Sequence, residues 1–262
     1  MASLKVKMVG VTGLLAACGA AFGQYSANFE PPTYTAGQVL TGQAGWYIPP
    51  AAQVPSSRDV DCVAYLNNPY GIVANPEGCA NMAVGVSDGT NLARAQQSIN
   101  FSAGGVWEFS FDFNGVFNSS AATLPAVDNL GSFSLQYSVA VPPATTPTRF
   151  FQTLMSWGAT ACTLPDLTPL PNNTATADKF HLAIGHDVQF PASPAVGNFM
   201  CPTATWSNLP VNHWYRVKVR WNFNTAQITQ GSIQDLTLGT AAEVTDLTPF
   251  NWYLYGGQNS TY

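Results

Sequence analysis

Residues 215–223 read Tyr-Arg-Val-Lys-Val-Arg-Trp-Asn-Phe, and their alternation decides the fold class. Tyr215, Val217, Val219, Trp221 and Phe223 share one phase, and Arg216, Lys218, Arg220 and Asn222 the other. Successive side chains of an extended strand point to opposite faces, so one face of this segment belongs to a core and the other carries charge. Asn224 and Thr225 follow, and Gln227-Ile228-Thr229-Gln230 then resumes the run, which predicts a hairpin. The same period places Trp107, Phe109, Phe111 and Phe113 opposite Glu108, Ser110, Asp112 and Asn114. It also sets Phe133, Leu135, Tyr137, Val139 and Val141 against Ser132, Ser134, Gln136 and Ser138. No window of three turns carries amphipathic helical spacing.

Weaker strands are expected at 25–30, 60–66, 83–86, 95–101, 149–157, 179–186, 232–238 and 252–255. Between the strands run loops rich in Pro, Asn, Thr and Gly, at 48–58, 115–131, 142–148, 161–178 and 189–212. Connections of this length at the ends of a sandwich are where binding specificity usually sits. The expectation is an all-β chain: a two-sheet antiparallel β-sandwich, or jelly roll, formed as one domain by residues 24–262.

The chain has 262 residues, 46% hydrophobic, 12% aromatic and 9% charged, with a formal charge of −5. That is enough chain and apolar surface for one substantial core. Its opening, MASLKVKMVGVTGLLAACGAAFGQ, has a basic start at Lys5 and Lys7, an apolar stretch and then small residues, the pattern of a bacterial-type export signal over 1–23. Cleavage after Gly23 would make Gln24 the first residue. Leu15-Ala16-Ala17-Cys18 offers the alternative, a lipobox with a lipid anchor at Cys18. A secreted or cell-envelope location follows from either. With Lys5 and Lys7 removed, seven basic side chains face 14 acidic ones, which argues against nucleic acid as a partner. No apolar run is long enough for a transmembrane segment.

Outside the leader stand Cys62, Cys79, Cys162 and Cys201, an even set that favours two disulfides in an oxidising compartment. Each of the pairs Cys62–Cys79 and Cys162–Cys201 brackets a Pro/Asn-rich loop, and that connectivity is expected. No Cys or His cluster has metal-ligand spacing, and alternation puts His181 and His186 on opposite faces. Asp59-Val60-Asp61 and Asp88-Gly89-Thr90-Asn91 offer oxygen ligands that calcium could use, though solvated turns account for both. No other cofactor is expected.

Phe29-Glu30-Pro31-Pro32 with Gly42-Gln43-Ala44-Gly45-Trp46, the aromatic stretch Gly105 to Phe113, and His213 to Val219 before a late hairpin resemble the concanavalin A-like lectin/glucanase jelly roll in its LamG-like bacterial forms. The resemblance implies two packed sheets, with sugar held on a concave face or by end loops. Glucanases of that fold carry Glu-x-Asp-x-Glu, where this chain has Glu108, Ser110 and Asp112, so the central Asp and the last Glu are missing. Catalysis is therefore not expected. Glu108 and Asp112 share a face and either pair with Arg216, Lys218 or Arg220 across strands or line a sugar groove. Gln136, Arg216 and Arg220 complete the polar candidates. Trp46, Trp157 and Trp206, near loops or strand ends, are candidates for stacking on a sugar. The expected function is non-catalytic binding of a polysaccharide, cell-surface glycan or other surface polymer. The alternatives are a structural or adhesive envelope protein and, third, a glycan-cleaving hydrolase or lyase.

Overall fold

The apolar phases at 107–113 and 215–223 lie side by side: Trp107 faces Trp221, Phe109 faces Val219, Phe111 faces Val217 and Phe113 faces Tyr215 on neighbouring antiparallel strands. The structure is a computed structural model, and it describes residues 2–10, 25–48, 57–85, 92–99, 105–116, 127–137, 148–158, 162–170, 179–187 and 197–254. Its strands in chain order are β1 (Ala2–Gly10), β2 (Tyr25–Ala27), β3 (Gln38–Val39), β4 (Trp46–Tyr47), β5 (Ser57–Arg58), β6 (Asp61–Ala64), β7 (Asn81–Gly85), β8 (Leu92–Ala93) and β9 (Gln96–Gln97). Next come β10 (Val106–Gly115), β11 (Val127–Tyr137), β12 (Thr148–Gly158), β13 (Lys179–Asp187), β14 (Gly197–Met200), β15 (Leu209–Pro210), β16 (Trp214–Asn222), β17 (Gln227–Asp235) and β18 (Glu243–Asp246). Among the described residues the only helical turns are three-residue 3-10 turns.

One sheet runs β18-β17-β16-β10-β1-β7-β6-β3, with β2 also on β1. The second runs β11-β12-β13-β14, with β15 beside β13. Short ladders join β4 to β9 and, in parallel, β5 to β8. The two main sheets face each other as an all-β sandwich. Phe109 meets Phe133 at 4.3 Å between ring centres, and Phe151 stacks on Trp221 at 5.4 Å. Each fully buried Phe contributes about 1.5–3 kcal/mol through water exclusion, which makes this aromatic layer the main support of the fold. Gly231 of β17 sits on the same inner face, and a Cβ there would meet Trp206 at 3.3 Å and Ile184 at 3.5 Å. Glycine therefore leaves the room into which the Trp206 indole descends.

The hairpin predicted after Asn222 is present as β16–β17, with Ala226 in the left-handed region at its turn. Val139 and Val141 lie outside the described residues. The segment read as an export leader forms β1 in the full-length chain. Met8, Val6 and Leu4 stand opposite Phe109, Phe111 and Phe113, and Lys5 stands opposite Asp112. Because β1 lies between β10 and β7, cleavage after Gly23 would leave β10 with a free edge along Trp107–Gly115.

One disulfide joins Cys162 to Cys201, as expected from the spacing. The expected Cys62–Cys79 bridge is absent, and both thiols are free. Register explains why. Cys62 faces Ala83 across the β6–β7 ladder, while Ala64 faces Asn81, so Cys79 falls about four rungs from Cys62. At roughly 3.3 Å per residue that offset is about 13 Å, beyond the 7 Å or so that a bridge can span.

Candidate functional site

The polar phases of β10, β16 and β17 share the outer face of the first sheet. Glu108 stands opposite Arg220, Ser110 opposite Lys218 and Asp112 opposite Arg216. The rows continue to Gln230, Ser232 and Gln234, and from there Gln230 faces Asp246 and Ser232 faces Val244 of β18. Antiparallel pairing brings directly opposed side chains together, so period two in sequence becomes polar rows across β10, β16 and β17, and the Glu108 row continues to Asp246 of β18.

One end of this face is closed. Arg216 donates from Nε to Asp112 Oδ1 and from Nη2 to Oδ2, each at 2.8 Å, and from Nη1 to Glu77 Oε1 at 3.3 Å. The Asp112 side chain is 4% exposed and that of Arg216 23%. The Asp112 carboxylate holds the guanidinium proton well above its ordinary range, with burial opposing and Glu77 adding to the effect. The chain between Tyr65 and Glu77 covers this end: Trp214 Nε1 donates to Val73 O at 2.7 Å, and Tyr65 meets the Trp214 ring edge-on. Asn212 fixes the covering segment, accepting from Val73 N at 2.9 Å and donating to Gly71 O at 3.0 Å.

The other end is open among the described residues. Arg220 Nη2 donates to Glu108 Oε2 at 2.9 Å, and Lys218 Nζ lies 3.5 Å from Glu108 Oε1. Exposure rises outward, from 15% for Glu108 to 35% for Arg220 and 44% for Lys218. Glu108 and Asp112 thus share a face and pair with cations across strands. At four residues along one strand their Cα atoms stand roughly 13 Å apart. Ser110 lies buried between them, and a retaining glycosidase needs its carboxyls about 5 to 5.5 Å apart. Both carboxylates are instead held by cations across the strands.

Glu108, Asp112, Arg216 and Arg220 are therefore brought together. Gln136 belongs to β11 opposite Arg149, on the other sheet, and Trp157 belongs to β12 opposite Asp128; both side chains lie outside those described. Two stacking candidates are corrected. Trp46 is 8% exposed, donates from Nε1 to the Tyr34 hydroxyl at 3.1 Å and packs with Phe29, Tyr34, Leu40 and Cys62 in a satellite core. Trp206 is fully buried over Gly231. Nearness to loops suggested open ring faces, but both indoles point inward. Glu77, Gln230 and Ser232 were missed. The alternation after Ile228 signalled the last two, whereas nothing in sequence ties Glu77 to a residue 139 positions later.

The histidines do not converge. His181 and His186 occupy opposite faces of β13, where His186 stacks on Trp252 at 4.1 Å. His213 Nδ1 lies 2.7 Å from Asp235 Oδ2. His181 Nδ1 lies 2.6 Å from the buried Ser207 Oγ, and burial holds its imidazole below the ordinary range. The fold thus opposes protonation of His181 while the unfolded chain accepts a proton below about pH 6.5. Stability should fall as pH drops through that value, by up to about 1.4 kcal/mol per unit for this one proton. Urea midpoints between pH 8 and 5 should show a shallower fall for His181→Gln; identical slopes would remove His181 from the account.

Among the described residues no group of three His, Cys, Asp or Glu side chains could hold a metal. Asp59 Oδ1 accepts from Val60 N at 2.8 Å, an ordinary turn contact. Burial first, and Asp59 second, push the Asp61 carboxyl upward. Asp88-Gly89-Thr90-Asn91 lies outside the described residues. No helix of the described chain is long and apolar enough to cross a membrane. Comparison with known proteins finds no matching family model, no similar curated protein and no similar solved structure.

Proposed function

We propose that this chain is a secreted bacterial module that binds a carbohydrate or another surface polymer and does not turn it over, built on a concanavalin A-like, LamG-like jelly roll. The observation that carries the reading is the open end of the β10–β16–β17 face. There Glu108, Lys218, Arg220 and Gln230 are partly exposed, as a flat array of donors and acceptors. Flat polar arrays on a rigid sheet suit extended polymers, because pre-set side chains lose little entropy on binding. In this reading the buried Asp112–Arg216 pair is scaffolding and the Glu108 end is the contact surface. Residues 1–23 act as the export signal, leaving Gln24 as the first residue; the alternative is an earlier cut that leaves a lipidated Cys18 first.

A glycan array on the chain, with and without calcium, tests the reading. Binding to at least one polysaccharide is expected, reduced about tenfold or more in Lys218→Ala or Arg220→Ala, since a hydrogen bond to a charged group contributes roughly 1.5–3 kcal/mol. Absence of binding across the array would overturn it. Release of reducing ends, abolished by Glu108→Gln, would replace it with a hydrolase.

A further inference from the structure

We infer that the polymer is an acidic polysaccharide whose carboxylate or sulfate is taken by Lys218 and Arg220, an inference that rests on the polymer-binding reading above. The whole chain has nine Lys and Arg, and three of them occupy alternate positions of one strand, β16, on its outer face. Arg216 is absorbed by Asp112 and Glu77. Lys218 and Arg220 share a single carboxylate, Glu108, and each of its oxygens already faces one of them.

Lysine carries three N–H donors and arginine five, so this pair offers far more donors than the two Glu108 oxygens can absorb. Arg220 Nε is buried and has no partner among the described residues. The donors an incoming anion could reach are those on the exposed parts of Lys218 and Arg220, whose side chains are 44% and 35% exposed. The remaining acid in these rows, Asp246 of β18, is separated from Arg220 by Gln230 of β17. Asp246 already accepts from Thr248 N at 3.0 Å and from Thr248 Oγ1 at 2.6 Å, and those two bonds hold its carboxyl below the ordinary range.

A neutral sugar presents hydroxyls, each of which both donates and accepts, whereas a carboxylate or sulfate only accepts. Surplus donors therefore match the anion, and the adjacent, partly exposed Gln230 matches a ring hydroxyl. A polyanion charged less densely than duplex DNA is favoured over nucleic acid. The net charge of −5 repels a dense phosphate backbone, and Glu77, Glu108 and Asp112 lie inside the same cluster.

The test is binding of the full chain to a soluble polyuronate, to the same polyuronate after chemical reduction of its carboxyls, and to duplex DNA, over a salt series. The polyuronate should bind, weaken as salt rises, and lose tenfold or more in Lys218→Ala and Arg220→Gln. The carboxyl-reduced polymer should bind at least tenfold more weakly. Glu108→Gln should tighten polyuronate binding several-fold by removing the competing carboxylate, with thermal unfolding confirming that this variant is folded. Equal binding of the reduced polymer would overturn the anion inference and leave the polymer reading standing. Weaker binding by folded Glu108→Gln, or DNA bound as tightly as polyuronate, would also overturn it. Failure of every polysaccharide to bind would overturn the underlying reading itself.

Discussion

Replacing Cys162 and Cys201 together by serine should lower the unfolding free energy by about 4 kcal/mol, the largest effect expected of any two side chains outside the aromatic core. The bridge spans a sequence separation of 39, with Cα atoms 5.8 Å apart. Chain-entropy arithmetic for a loop of that length gives about 4 kcal/mol at room temperature. Both sulfurs are buried, and Cys201 N also donates to Thr163 O at 3.0 Å, so the bridge ties the segment at 162–170 to the chain after β14. Urea unfolding of the double variant against the parent measures the loss, and a change below about 1 kcal/mol would contradict it.

The free thiols provide an internal control. Burial first, and the Glu30 charge second, push the Cys62 thiol up to about 11, so it stays protonated and unreactive in the fold. Cys79 is only half-buried. Of these four cysteines, an alkylating reagent without reductant should label Cys79 in the native protein and add Cys62 on unfolding. Cys162 and Cys201 should be labelled only after reduction.

Asp112→Ala should cost about 3 kcal/mol. The substitution removes both carboxylate oxygens from Arg216 and leaves its guanidinium, mostly buried, with only Glu77 at 3.3 Å. Breaking a buried pair at one partner typically costs roughly 3–5 kcal/mol, because the remaining charge is uncompensated, and the partial exposure of Arg216 places this case at the low end. Removing both charges, as Asp112→Leu with Arg216→Met, should recover most of the loss. Glu108→Gln should cost under about 1 kcal/mol, since its cationic partners are the more exposed ones. Denaturant midpoints for the four proteins decide the matter. Equal losses from Asp112→Ala and Glu108→Gln would contradict the division of this face into a closed and an open end.

That division also marks what the sequence makes legible. Period two is a local property of extended backbone, so the inner aromatic layer, the hairpin at Asn224 and Thr225, and the sharing of one polar face by Glu108 and Asp112 could be read from residue order. Contacts made across long stretches of chain could not. The cover over Asp112 depends on Trp214 reaching Val73 and on Asn212 holding Gly71, each 141 positions away. Trp46 and Trp206 looked like loop tryptophans because local sequence does not show that a turn dips inward, and for Trp206 the deciding residue is Gly231 on another strand. The Cys62–Cys79 expectation failed on ladder register, which spacing alone does not specify.

The central claim is that polymer lies on the open end of the outer β10–β16–β17 face. It is tested most directly by mass-spectrometric footprinting of lysine acetylation on the chain, with and without a bound polysaccharide. Bound polymer should protect Lys218 several-fold while leaving Lys179, on the other sheet, unchanged. Saturating polysaccharide with Lys218 still acetylated at its free rate would show that the polymer binds elsewhere and would contradict the account.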